Sequence, residues 1–453
     1  MIRRLLVANR GEIAVRVLRT ARRLGIETVL TVSQADRSSM AARLADLAVV
    51  IGPGPAAASY LSVDAVMSAA HAHRVDAVHP GYGFLSESPA LAQACQDAGV
   101  VFVGPTAAQL REVGDKVRAR ANSEAAGLPV VPGRPVDGVA DLVAAADEVG
   151  MPLLLKAVGG GGGRGMRVLA SMDRAGETLD LAVAEAQAAF GDPRVYVERY
   201  VERSRHVEVQ VLGDGREAIH LGTRDCSTQR RHQKVIEEAP APLLTEAATR
   251  RMCDGAVALA RHLGYRGLGT VEYLYDIDAG KHYFLEMNAR IQVEHPVTEQ
   301  VCGLDLVAEQ LAVADGQALR VRQDEVRLAG HAVECRINAE DPAADFRPAP
   351  GTVTRAELPA GPGVRVDTYL YAGAQVSPFY DSLVAKVVTH AVTRQAALDL
   401  MAGALARMAV EGVATNLELA RRLVASAELR AGGVDTGWLA RLLDAGPDEG
   451  AAA

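Results

Sequence analysis

The run Phe284-Leu285-Glu286-Met287-Asn288-Ala289-Arg290-Ile291-Gln292-Val293-Glu294-His295-Pro296 decides how this chain reads. Alternation puts Glu286 and Asn288 on one face of a strand and Leu285 and Met287 on the other. A second alternating run, Thr270 to Tyr275, lies upstream, and the turn formers of Asp276 to Lys281 join the two into a hairpin. Centred on Ala279, that hairpin sets Glu272 opposite Glu286. Facing carboxylates repel. A divalent cation between them, with Asn288 as a further oxygen donor, removes the conflict and suits Mg²⁺ or Mn²⁺. A solvated strand face is the plainer reading of isolated Glu residues. It does not explain why the same strand continues into Arg290, Gln292 and Glu294.

Outward from the hairpin, the chain divides into units. Apolar residues 3–8, a helical pattern over 11–24 and a second strand at 27–32 form a βαβ unit. Val75 to Val78 leads into the loop His79 to Ser88, and Val100 to Val103 adds another strand. Strands alternating with helices predict a doubly wound parallel α/β sheet over residues 1–114. Glycine and proline cluster from Gly127 to Pro135, which opens a smaller unit over 131–203 inside a 115–330 domain. From His206 the strands are longer and alternate as antiparallel hairpins, an α+β pattern that continues through 331–440. Residues 444–453 read as a frayed tail.

The chain has 453 residues, 49% hydrophobic and 23% charged, with a net charge of −8. Its interspersed charges argue against a nucleic-acid surface or a polybasic membrane contact. Five scattered cysteines offer neither a zinc spacing nor a disulfide framework and suit reduced thiols in the cytoplasm. The apolar N-terminal run stops too soon for a signal peptide, and no segment approaches a membrane span.

Leu153 to Val158 leads into five glycines, Gly159 to Gly163, and then Arg164-Gly165-Met166. Gly160, Gly162 and Gly165 match a dinucleotide fingerprint only in spacing, because a strand follows where a helix is required. A strand–glycine flap–strand device instead closes side-chain-free N–H groups, those of Gly162 and Gly163 among them, over a triphosphate. Lys156 before the flap and Lys116 on the preceding helix supply positive charge to it.

Together these features resemble the ATP-grasp superfamily and, within it, the biotin carboxylase family, over roughly residues 1–440. The motifs are Leu5 to Ala14, His79 to Glu87, the flap, His206 to Gln210, Arg230 to Lys234, Glu286 to Pro296 and Glu334 to Asp341. The resemblance implies an ATP-grasp domain with a mobile lid and a C-terminal α+β domain. It implies an ATP-dependent ligase that activates bicarbonate as carboxyphosphate and carboxylates biotin. Glu272, Glu286 and Asn288 match its ligands for two metal ions. Glu294 matches the general base for bicarbonate, and Arg290, Lys234 and the backbone of Val293 match bicarbonate contacts. Arg336 matches the guanidinium that stabilises the biotin enolate. Glu198, Arg199, Tyr200 and Val201 match the adenine hinge, and His206, Gln229 and His232 match ribose or phosphate contacts.

The resemblance further implies a cytoplasmic homodimer and the first half-reaction of acetyl-CoA or acyl-CoA carboxylase in fatty acid biosynthesis. No Met-Lys-Met motif occurs, so the biotin is expected on a separate biotin carboxyl carrier protein served by a carboxyltransferase subunit. Two alternatives share parts of this pattern. A carbamoyl-phosphate-synthetase-like ligase also activates bicarbonate but duplicates the ATP-grasp unit. A catalytically silent nucleotide binder would shed Glu272, Glu286, Arg290, Glu294 or Arg336, and all are present.

Overall fold

A computed structural model describes residues 1–158 and 165–445. Gly162 and Gly163 of the flap, and the tail beyond residue 445, lie outside the described residues. Five parallel strands open the chain, in the order Leu47–Gly52, Glu27–Ser33, Arg4–Val7, Ala77–His79, Val101–Phe102. Leu5, Leu6 and Val7 are fully buried, as a strand covered on both faces requires. The loop after Ala77–His79 leaves the carboxyl end of the sheet, where doubly wound folds place their ligands. It carries Tyr82 and Glu87 toward the rest of the molecule.

A small four-stranded antiparallel sheet follows, in the order Gly133–Val136, Val195–Arg199, Leu153–Ala157, Met166–Leu169. Helices Val139–Val149 and Ala175–Phe190 back it, and it has its own core around Leu142, Leu153, Leu155 and Val197. The two strands flanking the glycine run pair directly with each other, which gives the expected strand–flap–strand frame.

The rest is organised on one antiparallel sheet of eight strands. Their order is Lys281–Asn288, Arg266–Asp276, Ser204–Asp214, Ala218–Arg230, Gln233–Ala239, His331–Asn338, Leu383–Ala391, Val364–Thr368. The sheet crosses the boundary read at residue 330 without a break, since Gln233–Ala239 pairs with His331–Asn338. On Ser204–Asp214 the period of two separates chemistry from core. Val207, Val209 and Val211 join the apolar cluster with helix Glu246–His262, while His206, Glu208 and Gln210 face the other way.

The hairpin register holds at the site and fails near the turn. Thr270 pairs with Asn288, Val271 with Met287 and Glu272 with Glu286 as anticipated, but Tyr273 pairs with Phe284 and Asp276 with Lys281. Leu285 is therefore an extra residue in a β-bulge, exposed beside exposed Glu286, and does not share Met287's buried face. The turn is the reason. Asp276 Oδ1 accepts the N–H groups of Asp278 and Ala279, and Gly280, at φ +62°, donates to the Asp276 carbonyl. That tight loop is not centred on Ala279, and the bulge absorbs the leftover residue.

Candidate active site

The polar face of the large sheet is built around Arg224, fully buried on Ala218–Arg230 and in register with Glu208. Its guanidinium donates to Glu208, to Gln210 at 2.7 Å, to Thr298 at 2.8 Å, to Thr270 at 3.1 Å and to Gln292 at 2.6 Å. Gln292 passes its amide on to Glu272 Oε1 at 2.9 Å. A buried charge is tolerable only when paired and saturated in this way. Arg224 was not singled out from sequence. Its one signal is the alternation of Glu208 and Gln210, which demands a cation across the strand, but register cannot be read from a single strand.

Lys234, on Gln233–Ala239, reaches into the same face. Its Nζ lies 2.7 Å from Glu208 Oε2, 3.0 Å from Glu272 Oε1 and 2.6 Å from Glu294 Oε1. Burial opposes its charge, yet the three carboxylates outweigh burial and hold the ammonium well above its usual pKa. Burial likewise works against ionised Glu294, and Lys234 overrides it, holding that carboxylate below its usual range. Arg336 takes the other oxygen of Glu294 through a terminal nitrogen at 2.9 Å, while its Nε donates to Glu237 at 2.5 Å. His206 Nε2 is 3.1 Å from Glu272. Burial pulls its pKa down, but Glu272 prevails and raises it to about 9.

Arg290 is aimed by the N-terminal domain. Glu87 accepts its Nε at 2.9 Å and the Ala289 N–H at 2.9 Å, and Arg290 also donates to Asn288 Oδ1 at 2.7 Å. The Glu286 carboxylate has no hydrogen bond or ion pair among the described residues; part of its surface is exposed, yet the surrounding protein and then Glu272 raise its pKa. Lys234 already balances Glu272. Glu286 lacks such a cation, so the pair with Asn288 suits an added hard cation.

Of the residues expected at the nucleotide, Lys156, Glu198 and Arg199 lie on the small sheet, Lys116 on helix Lys116–Ala125, and His206 and Gln229 on the large sheet. Lys156 forms an ion pair with Glu198, and Lys116 lies near enough to Glu286, Lys156 and Glu198 to feel their charges. Burial shifts the Lys116 pKa down. The N–H groups of Arg199 and Tyr200 are spent on the carbonyls of Pro132 and Pro152, so a purine held through backbone here must use other groups of the segment. The Arg199 guanidinium donates to Asp276 at 3.1 Å and to Tyr283 at 2.8 Å. Val201 is buried and Tyr200 half-buried. Gln229 donates to the Cys226 carbonyl at 2.8 Å, and the Val293 carbonyl accepts from Lys386 at 2.8 Å. His232 stands exposed in a left-handed turn at φ +67°, outside the buried cluster. Four of the five cysteines are buried, and none forms a disulfide.

Three family models cover nearly the whole chain: the biotin carboxylase N-terminal domain over residues 1–110, the carbamoyl-phosphate synthase L chain ATP-binding domain over 115–322, and the biotin carboxylase C-terminal domain over 334–441. The chain is 50% identical to the biotin carboxylase of Pseudomonas aeruginosa over 448 residues, covering 98% of this chain and 99% of that protein. It is 46% identical to biotin carboxylase 1 of Bacillus subtilis over 442 residues, 97% of this chain and 98% of the relative. A Campylobacter jejuni biotin carboxylase–β-γ-ATP complex superposes with a TM-score of 0.93 at 40% identity, covering 97% of this chain and 99% of that one. The biotin carboxylase domain dimer of Hydrogenobacter thermophilus 2-oxoglutarate carboxylase, solved with MgADP, ADP and bicarbonate, gives 0.91 at 40% identity, covering 97% and 98%. With a full-length match at this identity, and three consecutive family domains in order, the chain belongs to the biotin carboxylase family.

Proposed function

We propose that this chain carboxylates biotin with bicarbonate at the expense of ATP, and that the residues gathered around Glu294 carry the reaction. The observation that carries the reading is Glu294 itself. One oxygen rests on Lys234 and the other on Arg336, which joins the side of the site facing the metal hairpin to the side reserved for the acceptor. Ionised and placed between Lys234 and Arg336, Glu294 is the base that takes the bicarbonate proton. Arg290, steadied by Glu87, and Lys234 orient the anion. Arg336 offers its guanidinium to the oxygen of biotin's ureido group as charge develops there. Glu272, Glu286 and Asn288 hold the divalent cation, which when bound offsets charge on the transferring phosphoryl group. Lys116, Lys156 and the glycine flap close over the nucleotide phosphates.

A separate carrier protein presents the biotin, and a carboxyltransferase takes the carboxyl group onward; a second copy of the chain completes the assembly. Purified protein is expected to hydrolyse ATP only with bicarbonate, and faster when free biotin is added. A rate indifferent to biotin overturns the proposal.

A further inference from the structure

Behind Arg336 lies a pair of carboxyl groups that the reaction above does not use. Glu237 and Glu334 are direct cross-strand partners on Gln233–Ala239 and His331–Asn338, and neither has measurable exposure. Side chains so placed have Cβ atoms about 5 Å apart. Among the described residues, only Glu237 Oε1 of their four oxygens has a partner, the Arg336 Nε; Glu237 Oε2 and both oxygens of Glu334 have none. Two ionised carboxylates that close, dry and short of donors are not stable together. The charged groups around them cannot supply a second counter-charge. Arg336 is divided between Glu237 and Glu294, and Lys234 is spent on Glu208, Glu272 and Glu294. Lys386, in register with Arg336 from Leu383–Ala391, pulls the Glu334 pKa down but does not overcome burial, because its ammonium is bound to Glu12 and the Val293 carbonyl. Asp367 on Val364–Thr368 is taken by Arg365, and Glu299 on helix His295–Cys302 by Arg16 and Arg365. His295 on that helix is kept neutral by burial, which pushes its pKa well down.

We infer that Glu237 and Glu334 share a single proton, carry one negative charge between them, and act as positioning residues for Arg336. Burial is the first cause of the upward shift in both, to about 7 for Glu237 and well above the carboxylate range for Glu334. With one charge rather than two behind it, Arg336 is less fully neutralised and keeps more of its field for an oxyanion in front. That consequence rests on the role proposed for Arg336; the shared proton does not.

The test is infrared difference spectroscopy above pH 8 on the intact protein, read against the Glu237→Gln/Glu334→Gln double variant. Wild-type protein should show one protonated-carboxyl C=O band. Each single variant, Glu237→Gln or Glu334→Gln, should lose it, because the carboxyl that remains takes the charge. A wild-type protein without the band overturns the inference, and so does a band that survives in Glu237→Gln, which would mark Glu334 as protonated by burial alone. In the pH profile of biotin-dependent turnover, Glu334→Gln should move the alkaline limb upward; an unmoved limb severs the pair from Arg336. Absence of biotin-dependent turnover in wild type, with the band present, would instead count against the proposed function.

Discussion

At the scale of single residues, the centre of the site is a pair of cations each divided among more than one carboxylate. Lys234 serves three of them, Arg336 two, and Glu294 is the member both share. Glu294→Gln keeps the shape and removes the charge, so turnover should fall by about 10²- to 10⁴-fold while the KM for ATP moves little. Steady-state kinetics with ATP and biotin varied separately check this, and an ATP KM that rises in step with the lost turnover would mean a damaged fold. Residues with chemistry in their type and spacing, such as Glu286, Asn288, Arg290 and Glu294, were legible in the sequence. Arg224, Glu87, Glu237 and Glu334 were not. Arg224 depends on register across a hairpin and on Gln292 and Thr298 beyond it, and Glu87 on where an N-terminal loop meets Arg290. The Glu237–Glu334 pair depends on register between strands far apart in the chain. At the anticipated hinge segment, the N–H and guanidinium of Arg199 have partners within the protein.

Among the elements, period-two alternation located the hairpin, since Thr270 to Tyr275 and Phe284 to Asn288 fall within Arg266–Asp276 and Lys281–Asn288. The strand does not continue into Arg290, Gln292 and Glu294: it ends at Asn288, and Glu294 caps helix His295–Cys302. The bulge was not legible in the alternation, because it depends on the hydrogen bonds of the turn rather than on the strands. Its effect is to hold Glu286 opposite Glu272 while the loop keeps its own register. Deleting Leu285 should leave the hairpin paired but remove the local twist that aims Glu286. The expected result is an unchanged far-UV spectrum with a half-saturating Mg²⁺ concentration raised at least about tenfold in the ATPase assay. An unaltered Mg²⁺ titration would show that the bulge has no part in metal binding.

Across the whole molecule, a network of partly buried ion pairs links the first helix of the N-terminal domain to the strand Val364–Thr368. Arg16 on Gly11–Arg23 meets Glu299 and Asp305, Glu299 meets Arg365, and Arg365 meets Asp367. Burial disfavours the Asp367 charge, but Arg365 overcomes it and lowers the pKa from 3.8 to about 2. The depressed carboxylate stabilises the fold above pH 3.8 and loses that contribution as pH falls toward 2, by roughly 2 kcal/mol. Urea unfolding across this window should show a shallower loss of stability in Asp367→Asn than in wild type; equal slopes would exclude Asp367 as a source of acid sensitivity. The large sheet has a consequence for the order in which the protein is made. Gln233–Ala239, the strand that carries Lys234, is covered by His331–Asn338. During synthesis the ribosome therefore delivers every site residue except Arg336 well before the strand that seals that edge. Until it arrives, the nascent chain presents a bare row of backbone donors and acceptors, which invites pairing with a stranger.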